Sequence, residues 1–267
     1  YAWIVALLLL VLSPHIGILL MSLSKVWSFS VLPEGFTLAH YQTVFTQSPH
    51  MIGNTLLYCG LAALIDVTIG TAIAYIILRT RLPGRQMLDW AASAALAIPG
   101  VVLAIGYLRT FRGVELPFSD AAFTSTWVAL MVAYAVRRLP YALRSCIAAL
   151  QQMHVSLEEA AENLGATKGR TIRRIVVPLM AGGILAGFVT SFITAAVELS
   201  ATIMLSASAS QAPMSYGIYL YMQSIAGRGP GAALGVIAVV IVGLGTYASH
   251  RLLQWRATHV AQQVTNT

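Results

Sequence analysis

Charge is scarce in this sequence: 9% of its 267 residues are Asp, Glu, Lys or Arg, while 58% are hydrophobic. Soluble domains carry about 25% charged residues, so a water-exposed globular fold is excluded and a polytopic membrane protein is expected. Cysteine is nearly absent. Cys59 and Cys146 lie far apart in apolar surroundings, without a CxxC spacing, and read as small core residues. The six histidines are scattered and show no ligand spacing, so no metal site is expected of this chain alone. Nothing resembles a P-loop, so no nucleotide chemistry is expected of this chain; the glycine-rich "GRGPG" at 227–231 follows no strand. The first apolar run lacks the basic flank and cleavage site of a signal peptide. It starts at Tyr1 without a methionine, as expected of a part, or one half, of something longer.

What the sequence does hold is a series of long apolar runs. A spanning helix needs about 20 apolar residues, and six candidates meet this: 1–23, 51–78, 87–108 with a kink at Ile98–Gly100, 124–136 continuing past "RRLPYALRS" towards Leu150, 179–205, and 232–253. The expected fold is therefore all-α, with residues 1–255 as a single transmembrane domain, a charged loop at 151–178 and a tail at 256–267. The net charge of +7 comes from short basic blocks between the runs, a pattern of topology determinants and not of a nucleic-acid-binding face. One set of connections holds Arg79, Arg81, Arg85, Arg137, Arg138, Arg144, Lys168, Arg170, Arg173, Arg174, Arg251 and Arg256. The alternate set holds Lys25, Arg109, Arg112 and Arg228. Lys and Arg accumulate on the cytoplasmic side, which places the first set, the tail and both termini in the cytoplasm.

The longest charged stretch is "SLEEAAENLGATKGRTIRRIVVPLM", residues 156–180, with three of the nine acidic residues. Ser156 and Glu159 have the spacing of a capping box, and the acidic first turn suits the helix dipole. Leu157 to Leu164 then reads as a short helix, ended by Gly165 in a left-handed conformation. Thr167 caps a second, basic helix that Pro178 joins to the next span. Ala160, Ala161 and Gly165 leave one face small, which suits docking against another protein; a solvated helical loop is the alternative.

Glu159-Ala160-Ala161, then Gly165, then Ile175-Val176-Val177-Pro178 resembles the EAA motif of permease subunits of type I ABC importers. Val177 stands where leucine is usual and Ile172 where an aromatic is common. The resemblance covers essentially the whole chain and implies a six-helix permease core. It implies that the short helix is a coupling helix seated in a cytoplasmic ABC ATPase dimer, with Glu158, Glu159, Ala160, Ala161, Gly165, Ala166, Thr167 and Lys168 as docking residues. It also implies a second permease copy or homologous half, a periplasmic solute-binding protein, ATP and Mg on the ATPase with no cofactor on this chain, and a bacterial inner-membrane location. Transport would proceed by alternating access.

"VELSATIML" places Glu198 within the fifth span, where an acid is costly and a functional candidate. It is either satisfied by helix-to-helix hydrogen bonds or part of the translocation pathway with Ser200 and Thr202. "ELSAT" and "RRLPYALRS" resemble the subset of these permeases that move ferric iron or small phosphonates. Iron(III) is the expected cargo, with 2-aminoethylphosphonate, another small anion or a polyamine as alternatives. Arg137, Arg138 and Arg144 either close the cytoplasmic end of the pathway or bind lipid headgroups. Asp66 packs structurally or faces a partner helix, and Gly182, Gly183 and Gly187 allow close helix packing. The polar stretches 24–50 and 206–230 face the periplasm, where binding-protein contact or interfacial anchoring accounts for their aromatics. Two rival classes are a proton-coupled secondary transporter using Asp66 or Glu198 and a membrane-embedded enzyme. The first leaves the EAA pattern unexplained; the second needs convergent polar groups that the sequence lacks.

Overall fold

The computed structural model describes residues 1–25, 27, 30, 32–117, 120–223 and 225–265, with the backbone alone over 252–265. Every regular element described is helical; the extended pairings are two isolated bridges, Ser24 with Phe36 and Glu115 with Ala122. From the N-terminus run α1 (Ala2–Leu23), the short α2 (Ala39–Gln47) and α3 (Pro49–Arg79). Next come α4 (Arg85–Ala97), α5 (Gly100–Thr110) and α6 (Trp127–Gln151). The charged loop supplies α7 (Ser156–Asn163), α8 (Lys168–Thr171), a π-helical turn (Ile172–Val176) and α9 (Val177–Leu179). The remainder is α10 (Ala181–Ala196), α11 (Ser200–Leu205), α12 (Met214–Met222) and α13 (Arg228–Thr265).

By length and composition α1, α3 and residues Arg228–Arg251 of α13 can each cross a membrane, and two bent helix pairs raise that number to five. The chain is a multi-pass membrane protein. Its expected six spans map unevenly onto these elements. The kink expected at Ile98–Gly100 is a full break: α4 and α5 meet at 107°. Proline at 99 withholds an N–H and its ring excludes a helical residue before it, so α4 stops at Ala97. The fourth expected span is one continuous helix, α6, in which Arg137, Arg138 and Arg144 lie mid-helix and not in a connection. The fifth is shorter than expected. Pro178 lies before a 68° bend at Met180, and α10 ends at Ala196, so Glu198 stands in a break between α10 and α11 and not inside a helix. The sixth is longer: the backbone of α13 stays helical to Thr265, and the expected tail lies in its last turns and outside the described side chains.

The centre is a three-helix packing of α3, α6 and α10, with α13 beside α1 and α12. Small residues bring α6 and α10 together. A methyl group on Gly183 would run into Ala149 and stand 2.9 Å from the Ser145 carbonyl oxygen, and the Ser145 hydroxyl donates to the Gly183 carbonyl at 2.8 Å. In a membrane, close backbone approach and polar contacts drive helix association, so the packing expected of Gly183 and Gly187 is present. Gly182 instead lines a groove beside that contact. Three apolar clusters run along the bundle. One joins Tyr58, Leu130, Tyr134 and Leu205, a second Leu143, Leu150, Val176 and Met180, and a third Val44, Met51, Met214 and Leu234. Cys59 and Cys146 are buried free thiols within them, as their apolar contexts suggested.

Candidate functional site

The charged loop folds as a bracket fixed to the ends of α3 and α6. Gly165 has φ of +84°, where a side chain would be strained. Its N–H donates to the Glu162 carbonyl at 2.9 Å, and the Ala166 N–H donates to the Ala161 carbonyl at 3.0 Å. Those are the two bonds of a Schellman motif, and they satisfy carbonyls that the end of α7 would otherwise leave open. The start of α7 departs from the expected capping box. Val155 is itself helical, the Glu159 N–H bonds the Val155 carbonyl at 3.2 Å, and the Ser156 hydroxyl pairs with His154 Nδ1 at 2.8 Å. Thr167 does stand at the N-cap of α8, but its hydroxyl makes no capping bond.

Glu158 was grouped with the docking residues, yet its side chain turns inward. Its carboxylate accepts from Arg79 Nε at 2.7 Å and from the Tyr75 hydroxyl at 3.1 Å. Arg79 Nη2 also donates to the carbonyls of Leu150, at 3.1 Å, and Met153, at 2.7 Å. One guanidinium thus ties the end of α3 to the C-terminal carbonyls of α6 and to α7, a place where the helix dipole favours a cation. Ala161 is buried with Glu158. Glu159, Ala160, Gly165, Thr167 and Lys168 remain exposed, Ala166 is half-buried, and Leu164 beside the turn is 90% exposed. The small surface expected on the loop is therefore narrower, with Ala161 removed from it.

The second cluster lies in the α10–α11 break. Glu198 is buried, and Oε2 accepts from Arg137 Nη1 and from Arg138 Nη2, each at 2.6 Å. Oε1 accepts the Ala201 N–H at 3.0 Å, so the carboxylate caps α11. Thr202 closes the break: its hydroxyl donates to the Glu198 carbonyl at 2.6 Å and meets the Tyr134 hydroxyl at 2.7 Å. Ser200 is exposed at the rim. Gly100, at the start of α5, abuts the same cluster: a Cβ there would contact Arg137 Nη1 and come within 2.8 Å of Ser200 Cβ and 3.1 Å of Glu198 Oε1. Of the two readings of the arginine block, lipid headgroups do not describe Arg137 and Arg138, which face Glu198. Arg144 pairs with Asp89 at 2.9 Å and donates to Ser93 at 2.9 Å. Arg137 and Arg144 are seven apart, two turns on one face of α6. With Asp89, Ser93 and Ser200 they make a polar stripe against the α4–α5 elbow. Asp66 is fully buried on α3, and neither carboxylate oxygen has a hydrogen-bond partner among the described residues.

Arg79, Tyr75, Gly100 and the Asp89–Ser93 pair were not singled out as site residues from the sequence. Tyr75 and Arg79, four apart at the end of a span, carried a usable signal: they share a helix face that leaves the membrane.

With this geometry in place, the match to known families is direct. Residues 66–259 match the model of the binding-protein-dependent transport system inner membrane component. The chain belongs to that family. A putative ferric transport system permease protein, FbpB 1, of Haemophilus influenzae is 34% identical over 175 residues, 63% of this chain and 27% of that protein. The molybdenum transport system permease protein ModB of Escherichia coli is 29% identical over 202 residues, 72% of this chain and 87% of ModB. The chain thus aligns with about a quarter of the ferric permease and most of the molybdenum permease. A bacterial ABC transporter involved in import of the acidic polysaccharide alginate has the same fold, with a TM-score of 0.71, 21% identity and 94% coverage of both chains. The MetNI methionine ABC transporter matches at a TM-score of 0.59 and 18% identity, over 76% of this chain and 93% of that one. The fold is that of ABC importer permeases.

Proposed function

We propose that the chain is a permease subunit of an ATP-driven ABC importer, passing solute from a binding protein into the cytoplasm by alternating access. The observation that carries this reading is the α7 bracket: a short helix whose exposed end bears Ala160, Leu164 and Gly165, fixed to the spans through Arg79 and Glu158. ATP and Mg belong to a partner ATPase dimer, and a second permease copy or homologous half completes the pathway. When the ATPases close, α7 moves with them. The Arg79 clamp transmits that displacement to α3 and α6, and α6 carries it about 20 Å, at 1.5 Å per residue, from Gln151 to Arg137. Glu159, Ala160, Gly165, Ala166, Thr167 and Lys168 form the docking surface, while Glu158 holds it in place. Both termini lie on the ATPase side.

For the cargo we propose ferric iron. The support is the similarity to ferric transport permeases of Haemophilus influenzae and Actinobacillus pleuropneumoniae, each 34% identical. Similarity to the sulfate permease CysT and to ModB supports an oxyanion as the second reading. Titrating the cognate binding protein with ferric iron, 2-aminoethylphosphonate and molybdate decides between them.

Docking is tested at Ala160, which is exposed and in ordinary helical geometry, so that a bulky residue there does not strain the Gly165 turn. Ala160→Trp is expected to abolish the stimulation of ATP hydrolysis by loaded binding protein in reconstituted complexes. Undiminished stimulation would remove the docking role of α7.

A further inference from the structure

The relatives leave open whether the cargo crosses as a cation or an anion, and the polar stripe on α6 bears on it. At its centre two guanidinium groups share one carboxylate, and that carboxylate is already filled: Oε2 holds both arginines and Oε1 holds the Ala201 amide. Neither oxygen of Glu198 is left over for an incoming metal ion. Among the described residues no three His, Cys, Asp or Glu side chains come together in a group that could hold one. The groups left over are donors. Arg137 makes a single hydrogen bond among the described residues, through Nη1, and its side chain is 15% exposed, so Nε and Nη2 stay open. The buried Nε of Arg138 has no acceptor among the described residues. Ser200 presents an exposed hydroxyl at the rim. The first amides of α5, at Gly100, Val101 and Val102, precede the first bond of that helix, made by Leu103 to Pro99, and the missing side chain of the buried Gly100 lets Arg137, Ser200 and Glu198 pack against this first turn. The other acids nearby do not reverse this balance. Asp89 is paired with Arg144 two turns along α6, and Asp66, a neighbour of Arg138 on α3, is fully buried and hydrogen-bonded to neither arginine.

We infer that Arg137, Ser200 and the start of α5 form a station for an anion, with Glu198 positioning Arg137. This inference rests on the importer reading and narrows it. The transported species carries negative charge at this point, either as a free tetrahedral oxyanion or as the anionic ligand shell of a ferric complex; bare iron(III) meets two guanidinium groups that share one carboxylate here. Charge-assisted hydrogen bonds of this kind are shorter and stronger than neutral ones and favour an anionic acceptor.

The experiment uses the full chain with its ATPase and binding protein in proteoliposomes. One arm offers iron(III) citrate labelled on both iron and citrate carbon; the other offers labelled sulfate and molybdate. Wild-type vesicles are expected to accumulate label with ATP, and in the iron arm the two labels enter together. Arg137→Gln is expected to cut the uptake about tenfold or more, the loss expected for one bond to a charged group, and Arg137→Lys to recover most of it. Ser200→Asp, at an exposed position, is expected to cut uptake similarly by placing a carboxylate at the rim. Iron entering without citrate, or uptake unchanged in both Arg137→Gln and Ser200→Asp, would overturn the anion station alone. Wild-type vesicles that take up nothing with ATP would remove the importer reading and this inference with it.

Discussion

Glu158 and Glu198 are both buried acids bound by arginine, yet they differ in what their loss would leave behind. Without Glu158, Arg79 keeps two carbonyl acceptors, Leu150 and Met153. Without Glu198, the paired contacts of Arg137 and Arg138 both disappear. Removing one member of a buried ion pair costs about 3–5 kcal/mol because the remaining charge is uncompensated. Glu198→Ala should therefore lower the thermal midpoint of the purified chain in detergent clearly more than Glu158→Ala. Equal losses would mean that Arg137 and Arg138 find other partners. The sequence marked Glu198 because an acid within an apolar run has few reasons to be there. It gave no hint of its partners, which lie 60 and 61 positions away on another helix. Glu158 stands in the acidic first turn that local spacing gave it, but its place among the docking residues came from the resemblance, and Arg79, 79 positions earlier, turns its side chain inward.

Among elements, breaks were harder to read than helices. The left-handed turn at Gly165 was legible because glycine alone adopts that backbone freely. Pro99 announced an interruption but not its 107° angle, which depends on how α5 packs against α11. The α10–α11 break carried no local mark at all. "AAVELSAT" continues an apolar pattern, and the interruption is held by side chains of α6. The capping box failed because His154 claimed the Ser156 hydroxyl. The α6–α10 contact is tighter than composition alone would demand. Gly183→Val would force its branched side chain against Ala149 and the Ser145 carbonyl. Overpacking of this kind costs about 1–3 kcal/mol, so the variant should unfold at lower temperature than wild type. A Gly183→Val protein as stable as wild type would show that α6 and α10 can separate without loss.

At the scale of the whole molecule, the expectation from sequence assigns a side to each loop by its basic residues; with Arg137, Arg138 and Arg144 inside α6, that division becomes nine to four. Lys25 and Gly169 belong to opposite sides in that scheme. Since Cys59 and Cys146 are buried, cysteines introduced singly at Lys25 and Gly169 can be labelled against a low background. A membrane-impermeant maleimide added to intact spheroplasts should label Lys25→Cys and spare Gly169→Cys until the membrane is opened. Labelling of both from outside would refute the assigned orientation. The elbow between α4 and α5 adds a constraint within the plane of the membrane. Backbone N–H groups at a helix start cannot face hydrocarbon tails, because nothing there accepts from them. The side of the subunit that carries Gly100 must then be wetted or covered by protein, although Ile98 and Val101 beside it are 40% and 43% exposed in the single chain. Lipid is thereby confined to the other faces, and the rotational setting of the subunit about the membrane normal follows from the amides of one interrupted helix.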